Sequence, residues 1–88
     1  METVIEHPGA LDVHKEQVTA CVRAPAGAGR RVAHVAEFKT TVQGLLGLRD
    51  WLSAHGVTHV VMEASGVYWK PPWAILEDDF ECMLVKTT

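Results

Sequence analysis

The 88-residue sequence contains no uncharged run near the roughly 18–20 residues a membrane helix needs, so no segment reads as a bilayer span. A secretory leader is missing as well: Glu2, Glu6, His7 and Pro8 stand where a basic start and an apolar run would be. These absences give the expectation of a cytoplasmic protein with no membrane partner. Cysteine is scarce. Cys21 and Cys82 make neither a disulfide framework nor a C-x-x-C pair, and His7, His14, His34, His55 and His59 are scattered, so no zinc knuckle is expected. Both cysteines read as small apolar core side chains. Basic charge is short too. Eight Lys+Arg stand against 11 Asp+Glu, a net charge of −3, which argues against a stand-alone nucleic-acid binder with a broad basic face. Lys15, Arg23, Arg30 and Arg31 leave room for a local patch only. With 48% apolar and 22% charged residues the chain is neither disordered nor of low complexity.

What remains is one domain's worth of regular patterning over residues 1–88. A chain this short buries only about 60–65% of its unfolded surface, enough for one modest core. Residues 1–9 read as a lead-in ending at Pro8-Gly9. From Ala10 to Ala24 apolar and polar residues alternate. Leu11 and Val13 frame Asp12, and Val18, Ala20 and Val22 follow after the polar turn Lys15-Glu16-Gln17, which predicts a hairpin. The Gly- and Ala-rich stretch 24–29 predicts a second turn, and Arg31–Phe38 a third strand.

The period then changes. Thr40 followed by Gln43 reads as a capping box, and Val42, Leu45, Leu46, Leu48 and Leu52 share a helical face that stops at Gly56. Gly44 and Gly47 inside it each cost about 1 kcal/mol relative to alanine unless close packing requires them. Val57–Glu63 reads as a buried strand. A second helix is expected between Gly66 and Asp78, with its formed part after Lys70 because Pro71 and Pro72 suit only a first turn, and Ser65 as its cap. Phe80–Val85 makes a fifth strand.

The order β-β-β-α-β-α-β implies a mixed α/β sheet, 3-2-1-4-5, with strands 1, 4 and 5 parallel. Two right-handed crossovers moving the same way place both helices on one face. The fourth and fifth strands are nevertheless apolar on both sides, so something else must cover the opposite face: a further helix, or a second copy in a homo-oligomer. In this order Cys21 and Cys82 lie about three strand spacings, or about 14 Å, apart, too far for a bridge.

Asp12 and Glu63 carry the chemistry. Aspartate is disfavoured mid-strand, and Glu63 ends the most apolar strand. Strands 1 and 4 are neighbours, so the two carboxylates converge, and they repel unless a proton or a cation lies between them. Hard oxygen donors suit Mg²⁺ or Mn²⁺. Without a metal, Glu63 simply approaches the next helix and Asp12 is a solvated residue.

The segments around the pair, Ala10-Leu-Asp-Val-His-Lys15 and Val61-Met-Glu-Ala-Ser-Gly-Val-Tyr-Trp-Lys-Pro71, resemble the N-terminal domain of the IS one-ten (IS110) insertion-sequence transposases. The likeness runs over roughly residues 10 to 86. It implies a RuvC-like, ribonuclease-H-like fold and an Asp-Glu-Asp-Asp catalytic set, in which Asp12 matches the first acid and Glu63 the second. By the same resemblance the activity is Mg²⁺-dependent cleavage and exchange of DNA strands, guided by a bridge RNA. The family's third and fourth acids, and its later domain with a serine nucleophile, have no counterpart before Lys86-Thr87-Thr88. Asp50, Asp78, Asp79 and Ser65 are not substitutes. The expectation is the N-terminal part of a catalytic domain, inactive alone.

Lys15 at the turn, and Arg30-Arg31 after the Gly-rich loop, are candidates for phosphate contacts or solvated ends. Tyr68, Trp69 and Trp73 suit base stacking or a core-facing helix. Two other classes stay open: a non-catalytic dimerisation or nucleic-acid-binding remnant, and an actin-like ATP-binding half-domain. The latter wants a Gly- and Thr-containing phosphate hairpin that Asp-Val-His-Lys-Glu-Gln does not supply.

Overall fold

The computed structural model describes residues 7–25 and 27–87. Most of the expected lead-in, residues 1–6, and Ala26 of the second turn lie outside the described residues. The elements run β1 (Gly9–Val13), β2 (Gln17–Pro25), β3 (Arg31–Lys39), α1 (Val42–Ala54), β4 (His59–Ala64), α2 (Lys70–Leu76) and β5 (Glu81–Lys86). They form one five-stranded sheet in the order β3-β2-β1-β4-β5. The first three strands are antiparallel neighbours, whereas β4 pairs in parallel with both β1 and β5.

Both helices lie on one side of this sheet, in contact with each other, as right-handed crossovers running the same way require. The sheet face beneath them supplies Leu11, Val13, Val18, Ala20, Val22, Val60, Met62 and Ala64 to a single core, closed by Leu45, Leu48 and Leu52 of α1 and Leu76 of α2. The opposite face is open. Val35 is 64% exposed there and Met83 62%, with Val61 and Val85 also exposed.

Three local expectations are corrected. The cap of α1 is Thr41 rather than Thr40: its Oγ1 accepts from the Gly44 amide at 3.0 Å, while the Thr40 hydroxyl donates instead to the Lys15 carbonyl at 2.8 Å. The third helical residue is therefore glycine, with no side chain to complete a capping box. Gly44 has a reason of its own, because a Cβ there would collide with the Lys39 carbonyl, so the close approach of β3 to α1 demands glycine. Gly47 has none, since its Cβ would make ordinary contact with the Phe38 ring at 3.8 Å. Second, Ser65 does not cap α2. The chain turns through residues 65–69 before the helix starts at Lys70, the capping position is Trp69 without a side-chain hydrogen bond, and the prolines fill the first turn. Third, β4 starts at His59 and β5 at Glu81, each later than the apolar patterns suggested, because buried Val57 and Phe80 belong to the approach to each strand.

The end of α1 agrees with expectation and shows why. Gly56 adopts φ 71°, its amide donates to Ser53, and the Val57 amide donates back to Leu52. That pair of bonds is a Schellman closure, with buried Val57 packing beside buried Leu52.

Candidate metal centre

Alternation along β1 and β4 decides where the acids point. Leu11 and Val13 face the helices, so Asp12 between them faces the open side; Met62 and Ala64 do the same for Glu63. The parallel register then sets Asp12 directly beside Glu63. Adjacent strands lie about 4.8 Å apart, which leaves the two carboxylates neighbours on one surface. The row continues across the sheet, with Glu37 and Thr19 on one side and Val85 on the other. Asp12, Thr19, Cys21, Val61, Glu63 and Val85 line a shallow depression around the pair.

Asp12 has one further partner. The His14 Nε2–H donates to its Oδ2 at 3.1 Å, both side chains being about three-fifths exposed. Strand alternation puts residues 12 and 14 on the same face, and this was the legible signal for the contact. Lys39 was not singled out from the sequence. It pairs with Gln17 on the open face, one row beyond Glu37, and brings a cation to the same end of the sheet. Lys15 is at that end too, in a turn closed by the His14 amide donating to the Gln17 carbonyl and pinned by the Thr40 hydroxyl.

Other candidates are not brought to the pair. Arg30 and Arg31 sit at the far end of the β2–β3 hairpin, where Arg31 pairs with Pro25. Six residues of strand separate Arg31 from Glu37 in the Asp12 row, or roughly 20 Å. Trp69 and Trp73 pack half-buried against the core with rings edge-on at 5.7 Å, as a core-facing helix predicts, whereas Tyr68 is exposed. The two cysteines are free, half-buried rather than buried, and on opposite faces: Cys21 opens onto the acid-bearing side, and Cys82 lies against the helix-side core. Burial raises the Cys82 thiol above its ordinary pKa, with Glu77 and Glu81 adding to the effect.

Two exposed carboxylates in adjacent register fit a hard divalent cation as part of its oxygen shell. Among the described residues no third His, Cys, Asp or Glu joins them in a metal-holding group. Among the described residues no helix is long and apolar enough to cross a membrane.

No curated protein matches the sequence. Two solved structures share the fold with a TM-score of 0.63: a Fowlpox virus resolvase in complex with Holliday junction DNA, and Thermus thermophilus RuvC. The first is 10% identical, with 93% of this chain and 61% of that one covered; the second is 13% identical, covering 91% and 63%. The chain therefore spans about three-fifths of the length of either. An Aquifex aeolicus Ppx/GppA phosphatase is similar as well, at a TM-score of 0.61 and 9% identity, covering 93% of this chain and 36% of that one. At such identities these likenesses establish the ribonuclease-H-like fold and nothing finer. The sequence itself is more specific, since a family model described as a transposase, that of the Asp-Glu-Asp-Asp transposases of the IS110 group, matches residues 10–87. With nearly the whole chain inside that match, the protein belongs to the IS110 transposase family.

Proposed function

We propose that this chain is the N-terminal part of a transposase catalytic domain that cleaves and exchanges DNA strands at a divalent-metal centre, with Asp12 and Glu63 as two of its ligands. The observation that carries the reading is the register pairing of those acids on an exposed sheet face, inside the segment matched by the transposase family. Mg²⁺ or Mn²⁺ held there would activate a water or hydroxyl and neutralise charge on the scissile phosphate. The residues of the chain do the rest. The β1–β4 register fixes the carboxylates relative to one another, and His14 restrains one oxygen of Asp12. Lys15 and Lys39, at the same end of the sheet, offer cations to flanking phosphates. A phosphate met by Arg30 or Arg31 would lie roughly 20 Å from the one being cleaved.

Two-metal chemistry needs more carboxylates than this pair, so the remaining acids come from elsewhere in the parent protein and the 88-residue chain is inactive alone. By family likeness the parent acts with a guide RNA and as a homo-oligomer. The resolvase neighbour, a complex with Holliday junction DNA, supports DNA as the substrate class. The phosphatase-like fold does not favour nucleotide hydrolysis here, because β1 is followed by a tight Lys15-Glu16 turn with no glycine or threonine to cradle phosphates. A non-catalytic remnant is the alternative, and the lack of a third ligand among the described residues is what favours it.

Mn²⁺ titration followed by amide NMR separates these readings. Paramagnetic broadening is expected first at residues 12–14 and 63–64, saturating in the millimolar range, with no nicking of supercoiled DNA. Broadening centred elsewhere, or unchanged by Glu63→Gln, would reject the site. Metal-dependent nicking abolished by Asp12→Ala would reveal a further ligand within the chain.

A further inference from the structure

We infer that β3 is a self-association edge, and that two copies of this chain join their sheets through antiparallel β3–β3 pairing centred on His34. The proposal does not depend on the metal reading. Sheet edges are normally blunted by proline, bulges or inward charges. Here β3 is nine residues long, paired one for one with β2, without proline or bulge, and Val32 and Val35 on it are 43% and 64% exposed.

The hydrogen-bond phase says which groups are free. In an antiparallel ladder every second pair exchanges its amides and carbonyls. The Thr40 amide donates to Glu16 at 3.2 Å and the His14 amide to Gln17 at 2.9 Å, so Val32, His34, Ala36 and Phe38 turn their backbone groups toward β2. Arg31, Ala33, Val35 and Glu37 direct theirs outward. A second β3 must therefore pair odd-numbered residues with odd-numbered ones.

Charge then selects one register. With His34 on the two-fold axis, Arg31 stands opposite Glu37 of the second copy at both ends, and Ala33 opposite Val35. Sliding by one ladder step in one direction sets Arg31 against Lys39, a like-charge contact. Sliding the other way sets Arg31 against Val35 and Glu37 against Gly29, which forfeits both ion pairs. Arg31 and Glu37 are exposed and lie on the same open face, so their side chains meet across the junction. The arrangement also suits the acid pair. A copy seated flat on the open face would cover Asp12 and Glu63, whereas an edge junction leaves both sheets' open faces accessible, with β1 two strands in from the seam.

Sedimentation velocity of the 88-residue chain, from micromolar to submillimolar concentration, tests this. The wild type is expected to show a reversible monomer–dimer equilibrium weakened by salt. Arg31→Glu and Glu37→Arg each place like charges opposite one another at both symmetric positions, and each should weaken the dimer about tenfold. Mixing the two variants restores two attractive pairs, so a heterodimer of near wild-type affinity is expected, as it is for the Arg31→Glu/Glu37→Arg double variant as homodimer. Circular dichroism confirms that each variant is folded, and rescue on mixing excludes simple misfolding. A wild type that stays monomeric at every concentration overturns the proposal. So does a dimer insensitive to both reversals, or one broken by Met83→Asp on the open face while the reversals leave it intact.

Discussion

Replacing Asp12 by asparagine should make the metal-free protein more stable while making it indifferent to magnesium. Two unit charges about 5 Å apart in water repel by roughly 0.8 kcal/mol. Asp12 is three-fifths exposed and ionic strength screens it further, which leaves about 0.5 kcal/mol, within the range for like charges opposite each other on neighbouring strands. For a domain this small, about 0.5 kcal/mol raises Tm by about 2–4 °C. Asparagine keeps the oxygen that accepts from His14 and fits the same space, so the charge is the main thing removed. Magnesium has the opposite effect on the wild type. A site with a Kd of about 1 mM gains roughly 1.4 kcal/mol at about 10 mM cation, or about 6–11 °C. Thermal melts in EDTA and in Mg²⁺, at matched ionic strength, read both numbers from two samples. The wild type should start lower and climb; Asp12→Asn should start higher and stay nearly flat, and Glu63→Gln should behave alike. A variant melting below the wild type in EDTA would mean that Asp12 is a structural residue. One that keeps the full magnesium gain would place the cation elsewhere.

The two glycines of α1 should respond to alanine with opposite signs. Gly47→Ala gains helix propensity against an ordinary contact with Phe38 and is expected to stabilise by about 0.5–1 kcal/mol, whereas Gly44→Ala drives a methyl into the Lys39 carbonyl and should lose about 1–3 kcal/mol, both read from urea midpoints. Cys82 sets an alkaline limit. Its folded thiol holds its proton more tightly than the unfolded one, whose pKa is near 9.0, so its contribution is intact below that value and is lost as pH rises toward the folded pKa. Stability should fall above about pH 9, and Cys82→Ala should flatten that limb.

Much of the fold was legible because its determinants are local or chiral. Alternation of Leu11-Asp12-Val13 and of Val60 to Ala64 sorts side chains to two faces wherever the strands end up, and right-handed crossovers leave one strand order and one helix-bearing face. The position of Asp12 and Glu63 on adjacent strands followed from those rules, as did the bared apolar face and the separation of the cysteines. The helix caps were less legible. Thr40 and Thr41 are equivalent as local signals, and the choice fell to Thr41 because the Thr40 hydroxyl is taken by the Lys15 carbonyl, 25 residues away in sequence. Ser65 looked like a cap because nothing nearby shows that the chain spends five residues turning before the prolines allow a helix.

Period and handedness, carried by side-chain type and backbone chirality, were thus enough to order the strands and choose the face on which the acids lie. Pairing register and close approach were not, because they depend on where one segment meets another distant in sequence. Gly44 is needed only because β3 passes beside it, and the outward phase of β3 follows from hydrogen bonds made at both ends of a hairpin.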